Sequence, residues 1–190
     1  MGLKVLIMAL VLALLTAVQA SAQWFDMGLE AGMNFSSFIG SGVNSSNLGG
    51  TVSSRLGFVG GGYLDLNFGP NFGIRPELLY EQKGAQISGT STSYEADYVE
   101  VPVLLKIGLG IPGINPSVLI GPSFDWNTLS SLPGNTGAVN NGDVGLVGGL
   151  EFDFSKFCIN GRYELGLDNV TGNSNIQNGT FTILMGYSFI

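Results

Sequence analysis

From Phe25 onward, apolar and polar residues alternate with a period of two in eight segments: 25–35, 55–66, 72–83, 98–108, 117–127, 143–154, 157–168 and 179–189. A period of two marks a β-strand with two unlike faces. The first segment puts Phe25, Met27, Leu29, Ala31, Met33 and Phe35 on one face, and Asp26, Gly28, Glu30, Gly32 and Asn34 on the other. The third sets Phe72, Ile74, Pro76, Leu78 and Tyr80 against Arg75, Glu77 and Glu81. In the fourth, Val99, Val101, Val103, Leu105 and Ile107 oppose Glu100 and Lys106. Throughout, strand charges fall on the parity opposite the apolar one, as expected if one face of a sheet is closed to ions.

The connections alternate too. Gaps after the second, fourth and sixth segments are short (67–71, 109–116 and 155–156), whereas Ser36–Ser54, Gly84–Asp97, Thr128–Gly142 and Asn169–Asn178 are long and rich in Ser, Thr, Asn and Gly. Short turns at one end and long loops at the other are the habit of an outer-membrane barrel, with turns periplasmic and loops extracellular. An even strand count brings both ends of the barrel chain to the periplasmic side.

Two closed barrels share this alternation: a soluble one with its apolar face inside around a ligand, and a membrane one with that face outside. Side-chain volume separates them. The polar parity carries Gly28, Gly32, Gly57, Gly61, Gly73, Gly121, Gly145, Gly149, Gly166 and Gly186, which suits a narrow, tightly curved interior. The apolar parity carries Phe, Leu, Ile, Val, Tyr and Trp, more volume than eight strands can enclose. It must therefore face outward, into lipid, where a charge costs roughly 2–4 kcal/mol at mid-depth. Aromatics sit where interfacial girdles belong: Phe25, Phe68, Phe72, Phe154, Phe157 and Phe189 at the turn end, Phe35, Tyr80 and Trp126 at the loop end.

The inward parity then holds Glu30, Asp65, Arg75, Glu77, Glu81, Lys83, Glu100, Lys106, Glu151, Asp153, Arg162 and Glu164. These twelve form the predicted lumen network, a salt-bridged structural plug in which Glu77 and Glu81 pair with Arg75 and Lys83. A calcium or ion site around Asp143, Glu151 and Asp153 is the weaker alternative, because no loop has the regular acidic spacing of a calcium motif. The run Gly57-x-x-Gly60-Gly61-Gly62 lies inside a strand and opens no helix, so it does not cradle phosphate.

Composition removes whole classes of chemistry. Charged residues make up 11%, against about 25% for soluble domains. The chain has no histidine, which excludes Ser-His-Asp and Cys-His catalysis and His-containing zinc sites. A carboxylate-only site at Glu77 and Glu81 is explained better by lumen pairing. Cys158, the single cysteine, cannot form an internal disulfide and reads as a small inward filler. A net charge of −7 argues against nucleic acid. Lys4, the apolar run Val5–Val18 and the small triplet Ala20-Ser21-Ala22 have the order of a cleavable export signal, cut after Ala22. Fourteen apolar residues are short for a spanning helix.

The segments Pro76-Glu77-Leu78-Leu79-Tyr80-Glu81-Gln82-Lys83-Gly84, Tyr98-Val99-Glu100-Val101-Pro102-Val103-Leu104-Leu105-Lys106, Gly121-Pro122-Ser123-Phe124 and Arg162-Tyr163-Glu164-Leu165-Gly166-Leu167 resemble the PorT-type outer-membrane β-barrel family of Gram-negative bacteria. The resemblance runs over nearly the whole chain after the export signal. It implies the same eight-stranded barrel and a link to export of surface proteins, and it brings no catalytic residues. One departure is the last strand, where Phe189 is followed by Ile190 rather than ending the chain.

The sequence thus predicts an all-β protein: a signal peptide over 1–22, then an eight-stranded antiparallel up-and-down transmembrane β-barrel over 23–190. It is expected in the cell outer membrane, non-enzymatic and without cofactor or metal, as a monomer or as a subunit of a larger membrane complex. Its role is structural or interactive, through extracellular loops or as an accessory of an envelope or protein-export complex. Its partners are outer-membrane lipid and other envelope proteins. The alternatives are a small porin-like channel and a soluble secreted barrel that binds an apolar ligand.

Overall fold

The computed structural model describes residues 24–39, 51–88, 93–111, 114–131, 142–167 and 177–189. The signal peptide, its cleavage point and the Asn169-Val170-Thr171 sequon lie outside these residues. Nine strand segments follow in order: β1 Phe25–Ile39, β2 Thr51–Asn67, β3 Phe72–Ser88, β4 Ser93–Glu100, β5 Val103–Gly108, β6 Pro116–Ser131, β7 Gly142–Phe154, β8 Phe157–Gly166 and β9 Gln177–Ser188. β4 and β5 both lie between β3 and β6, so they are two halves of one stave.

The break between them is at Val101 and Pro102, where proline offers no N–H to the ladder. Pairing still runs through it. Glu77 N–H donates to Pro102 O at 2.9 Å, and Val101 and Phe124 exchange backbone bonds at 2.8 and 3.2 Å. Each stave pairs antiparallel with its sequence neighbours, and β1 pairs with both β2 and β9. The sheet therefore closes into an eight-stranded up-and-down barrel with no free edge, the arrangement that satisfies every strand's backbone in lipid.

Strand positions agree with the alternation in the middle of the barrel and outrun it at the loop end. β1 extends to Ile39, β2 begins at Thr51, and β6 extends to Ser131. The expected loop 84–97 is mostly strand, because β3 and β4 pair as far as Gln86 and Ser93. The sequence of these extensions is rich in Ser and Thr. Ladder hydrogen bonds do not need an apolar face, but a hydrophobic period does. At the opposite end β7 and β8 turn through Ser155-Lys156, with Ser155 at φ 59°, in the left-handed region a tight hairpin demands.

The apolar parity points outward. Leu29, Met33, Leu78, Ile120, Leu146, Ile183 and Met185 are all exposed, Leu78 and Met185 to 60%. This is opposite to a soluble ligand-binding barrel, so that alternative is set aside. Inward glycines allow close approach of neighbouring backbone. A Cβ on Gly32 would run into the Ile183 carbonyl, and one on Gly61 into the Leu78 carbonyl. Outward Gly148 and Gly161 have open space instead.

Candidate functional site in the barrel lumen

Above an open turn-end cavity, the lumen is filled towards the loop end by charged tiers and apolar layers. Nearest the turn end, Arg75 on β3 is the hub. Its Nε donates to Asp65 Oδ1 at 2.5 Å, its Nη2 to Asp65 Oδ2 at 2.6 Å, and its Nη1 to Glu151. The guanidinium also lies 4.4 Å from the centroid of the Tyr63 ring. Lys106 joins the same group, 2.7 Å from Glu151, 3.1 Å from Asp153 and 3.2 Å from Asp65. Below this tier an open cavity of about 470 Å³ faces the turn end, lined by Asp26, Asp65, Lys106, Asp153, Cys158 and Ser188 among others. Ser188 Oγ donates to Asp26 at 2.5 Å.

A middle tier joins β8 to β3 and β1. Arg162 Nη1 donates to Glu77 at 2.5 Å, and Asn160 Nδ2 donates to Glu30 at 3.2 Å. The loop-end tier is organised by Lys83, which is 1% exposed. Its ammonium reaches Glu164, lies 2.9 Å from Asp125 and 3.1 Å from Glu81, and approaches Glu100 to 3.6 Å. Glu81 also accepts from Asn34 at 2.7 Å and from Thr182 at 3.4 Å, and Ser123 donates to Glu164 at 2.6 Å.

Between these tiers sit two apolar clusters, Val59–Leu79–Leu184 and Leu104–Leu119–Val147. Every member is buried to 1% exposure or less. They pack apolar side chains into the space between the charged tiers, inside a barrel whose outside is also apolar.

The twelve lumen residues singled out from sequence all point inward, and the three tiers account for every one. Two expected groupings are corrected. Glu77 pairs with Arg162 across the lumen rather than with Arg75, because sheet tilt and stagger decide which side chains meet across a barrel. Asp143 lies at the loop end of β7, whereas Glu151 and Asp153 lie near its turn end. Eight residues of strand, about 26 Å, separate Asp143 from Glu151, so these carboxylates cannot share one ion. The tiers also contain Asn34, Ser123, Asp125, Asn160 and Thr182, which were not among the twelve residues of the predicted network. Asp125 follows the inward parity of Ser123 on β6 and was legible by that rule.

Among the described residues, two groups hold three potential ligand atoms within 4.8 Å of one another: Glu151, Asp153 and Cys158, and Glu81, Glu100 and Glu164. An ammonium already stands among the carboxylates of each, Lys106 in the first and Lys83 in the second. Chemically, both tiers are built around a resident cation of the protein's own.

Comparison with known proteins agrees with this architecture. Three solved barrels superimpose on most of the chain. Ail, the attachment invasion locus protein of Yersinia pestis, is 14% identical over 88% of this chain and 100% of its own, with a TM-score of 0.53. Neisserial surface protein A is 13% identical over 86% and 97%, at 0.57. OprG of Pseudomonas aeruginosa is 16% identical over 86% and 95%, at 0.50. At these identities the likeness is one of fold. No functionally curated protein matches the chain. Residues 19–172 match the family described as outer membrane protein beta-barrel domain, and the chain belongs to that family and resides in the outer membrane.

Proposed function

We propose that this protein is a non-enzymatic barrel that acts through its loop-end rim, as a structural or interaction protein or as an accessory of an envelope or protein-export complex of the PorT type. The filled lumen carries this reading. Paired charges and apolar layers occupy the space a solute would need, leaving the outer surface and the rim as the parts that meet other molecules. The absence of histidine from the sequence removes the usual base of rim hydrolases. Lipid is the first partner, held by the apolar band and by aromatics at its edges. Phe157, Tyr187 and Phe189 form one such cluster at the turn end, with ring centroids 5.1 and 5.7 Å apart.

The test has two arms. In planar bilayers the purified protein should show no large steady conductance, whereas a stable open channel would overturn the plug reading. In intact cells, cross-linkers placed in segments 40–50 and 132–141 should capture a discrete envelope partner that is lost when those segments are replaced by short turns. Unchanged cell-surface phenotype and capture after replacement would refute a role for the rim.

A further inference from the structure

The open cavity at the turn end carries a charge imbalance of its own. Asp26 of β1, Asp65 of β2, and Glu151 and Asp153 of β7 stand in it or directly above it, against Arg75 of β3 and Lys106 of β5. Both bases are already engaged, Arg75 by Asp65 and Glu151, and Lys106 by Asp65, Glu151 and Asp153. Lys156, on the turn between β7 and β8, adds a third positive charge at the mouth and lies 3.4 Å from the Phe189 carbonyl. Four carboxylates thus outnumber three bases. Behind them the middle tier adds Glu30 and Glu77 against Arg162.

Asp26 is where compensation is missing. It accepts from Ser188 Oγ, a neutral donor, and among the described residues no base lies within ion-pair distance of it. It also sits directly across the β1–β2 ladder from Asp65, and like charges so placed cost stability unless a cation joins them. Asp153, at 28% side-chain exposure, is the most open of the carboxylates paired with Lys106 and shares that ammonium with two others. The staves that carry Asp26 and Asp153 are separated by β8 and β9. Asp153 belongs to a group of potential metal ligands with Glu151 and Cys158, whereas among the described residues Asp26 joins no such group. The two carboxylates therefore answer poorly to one metal ion, which draws its oxygens to about 2.0–2.6 Å, and well to a longer cation with two separated positive ends. Ammonium groups suit them further, since they donate N–H and accept nothing. The cavity has room for such a molecule, at about 470 Å³ and open to the turn end.

We propose that the turn-end cavity binds an aliphatic diamine or polyamine, with one ammonium at Asp26 and another at Asp153. The alkyl chain between them crosses a cavity whose lining includes the buried Tyr63 ring and Cys158. Turn ends are periplasmic in outer-membrane barrels, so this site is independent of the loop-end rim and of whatever the rim meets. The bound amine supplies positive charge that the turn-end tier lacks and ties β1 to β7. It binds the folded barrel and not the unfolded chain, so its occupancy stabilises the fold.

Titration calorimetry of the folded protein in an uncharged detergent, with putrescine as the probe, tests this. Putrescine should bind saturably, and butylamine, which carries a single ammonium on a chain of the same length, should bind about tenfold more weakly or worse. D26N and D153N should each weaken putrescine binding by a similar factor and bring it close to that of butylamine, while D97N on the outer face should leave it unchanged. Saturating putrescine should raise the melting midpoint of the wild type far more than that of D26N. If D26N does not fold, D153N carries the comparison alone. The absence of saturable heat with putrescine overturns the proposal, as do equal affinities for putrescine and butylamine, or putrescine binding that survives both substitutions. Magnesium chloride that reproduces the shift in melting midpoint at matched ionic strength would also overturn it, by showing that screening or a metal ion accounts for the effect.

Discussion

Arg75→Met removes the hub of the turn-end tier while keeping much of the side chain's length and apolar volume. Two bonds to Asp65 and one to Glu151 disappear together, along with the guanidinium over Tyr63. Lys106 remains, so two buried carboxylates and the half-exposed Asp153 are left facing one ammonium. Breaking a buried ion pair by deleting one partner costs about 3–5 kcal/mol, because the survivor is left charged and unpaired. Loss of the desolvated cation–π contact adds about 2 kcal/mol to this. The expected loss is therefore about 5–7 kcal/mol. Urea unfolding of the barrel in lipid vesicles, followed by fluorescence of Trp24 and Trp126, measures it as a shift of midpoint at constant slope. The triple variant R75M/D65N/E151Q should recover most of the loss, because it removes the stranded charges too. If R75M alone stays within about 1 kcal/mol of wild type, the tier is not a dry ion network and the plug account of the lumen fails.

Other substitutions probe the two faces and the backbone. Leu146→Arg puts a charge on the outward face at mid-strand and should cost about 2–4 kcal/mol in vesicles; a neutral result would mean the site does not contact acyl chains. Gly32→Ala drives a methyl into the Ile183 carbonyl and should destabilise by about 1–3 kcal/mol. Outward Gly161→Ala, with open space around it, should be neutral or stabilising by up to about 1 kcal/mol. Equal effects of the two in parallel urea titrations would contradict the inward and outward assignments. Leu104→Ala, in an inner apolar cluster, should cost about 2–5 kcal/mol and admit water to the lumen, detectable as faster exchange of neighbouring amides.

The barrel and the parity of its charges were legible because each reports a constraint that acts on every stave: lipid excludes ions from one face over the whole height of the membrane. What lay inside was less legible, and for two reasons. The inner apolar residues hide in doublets, Phe58-Val59, Leu78-Leu79, Leu104-Leu105, Leu119-Ile120, Leu146-Val147 and Ile183-Leu184. In each, one member belongs to the outer band and the other, the one that breaks the alternation, points in. Those six doublets are the signal that would have found both inner clusters. Pairing partners are the second gap. Spacing along a strand suggested Arg75 for Glu77, yet Arg162 takes that place, since cross-lumen neighbours follow from tilt and stagger rather than from any local pattern. Strand ends were underestimated at the loop end, where residues such as Ser53, Ser54, Gln86 and Ser130 pair although the sequence there lacks a hydrophobic alternation.

Methyl-to-lipid contacts read by NMR in nanodiscs test the orientation of the two faces without altering the chain. The methyl groups of Leu78, Ile120, Leu146, Ile183 and Met185 should show cross-peaks to acyl-chain protons, while those of Val59, Leu79, Leu104, Leu119, Val147 and Leu184 should show none. Adjacent residues such as Leu78 and Leu79, or Ile183 and Leu184, supply the contrast within a single spectrum. Acyl cross-peaks to both members of these doublets, or to the inner member alone, would contradict a barrel that faces lipid with one parity and encloses its charges with the other.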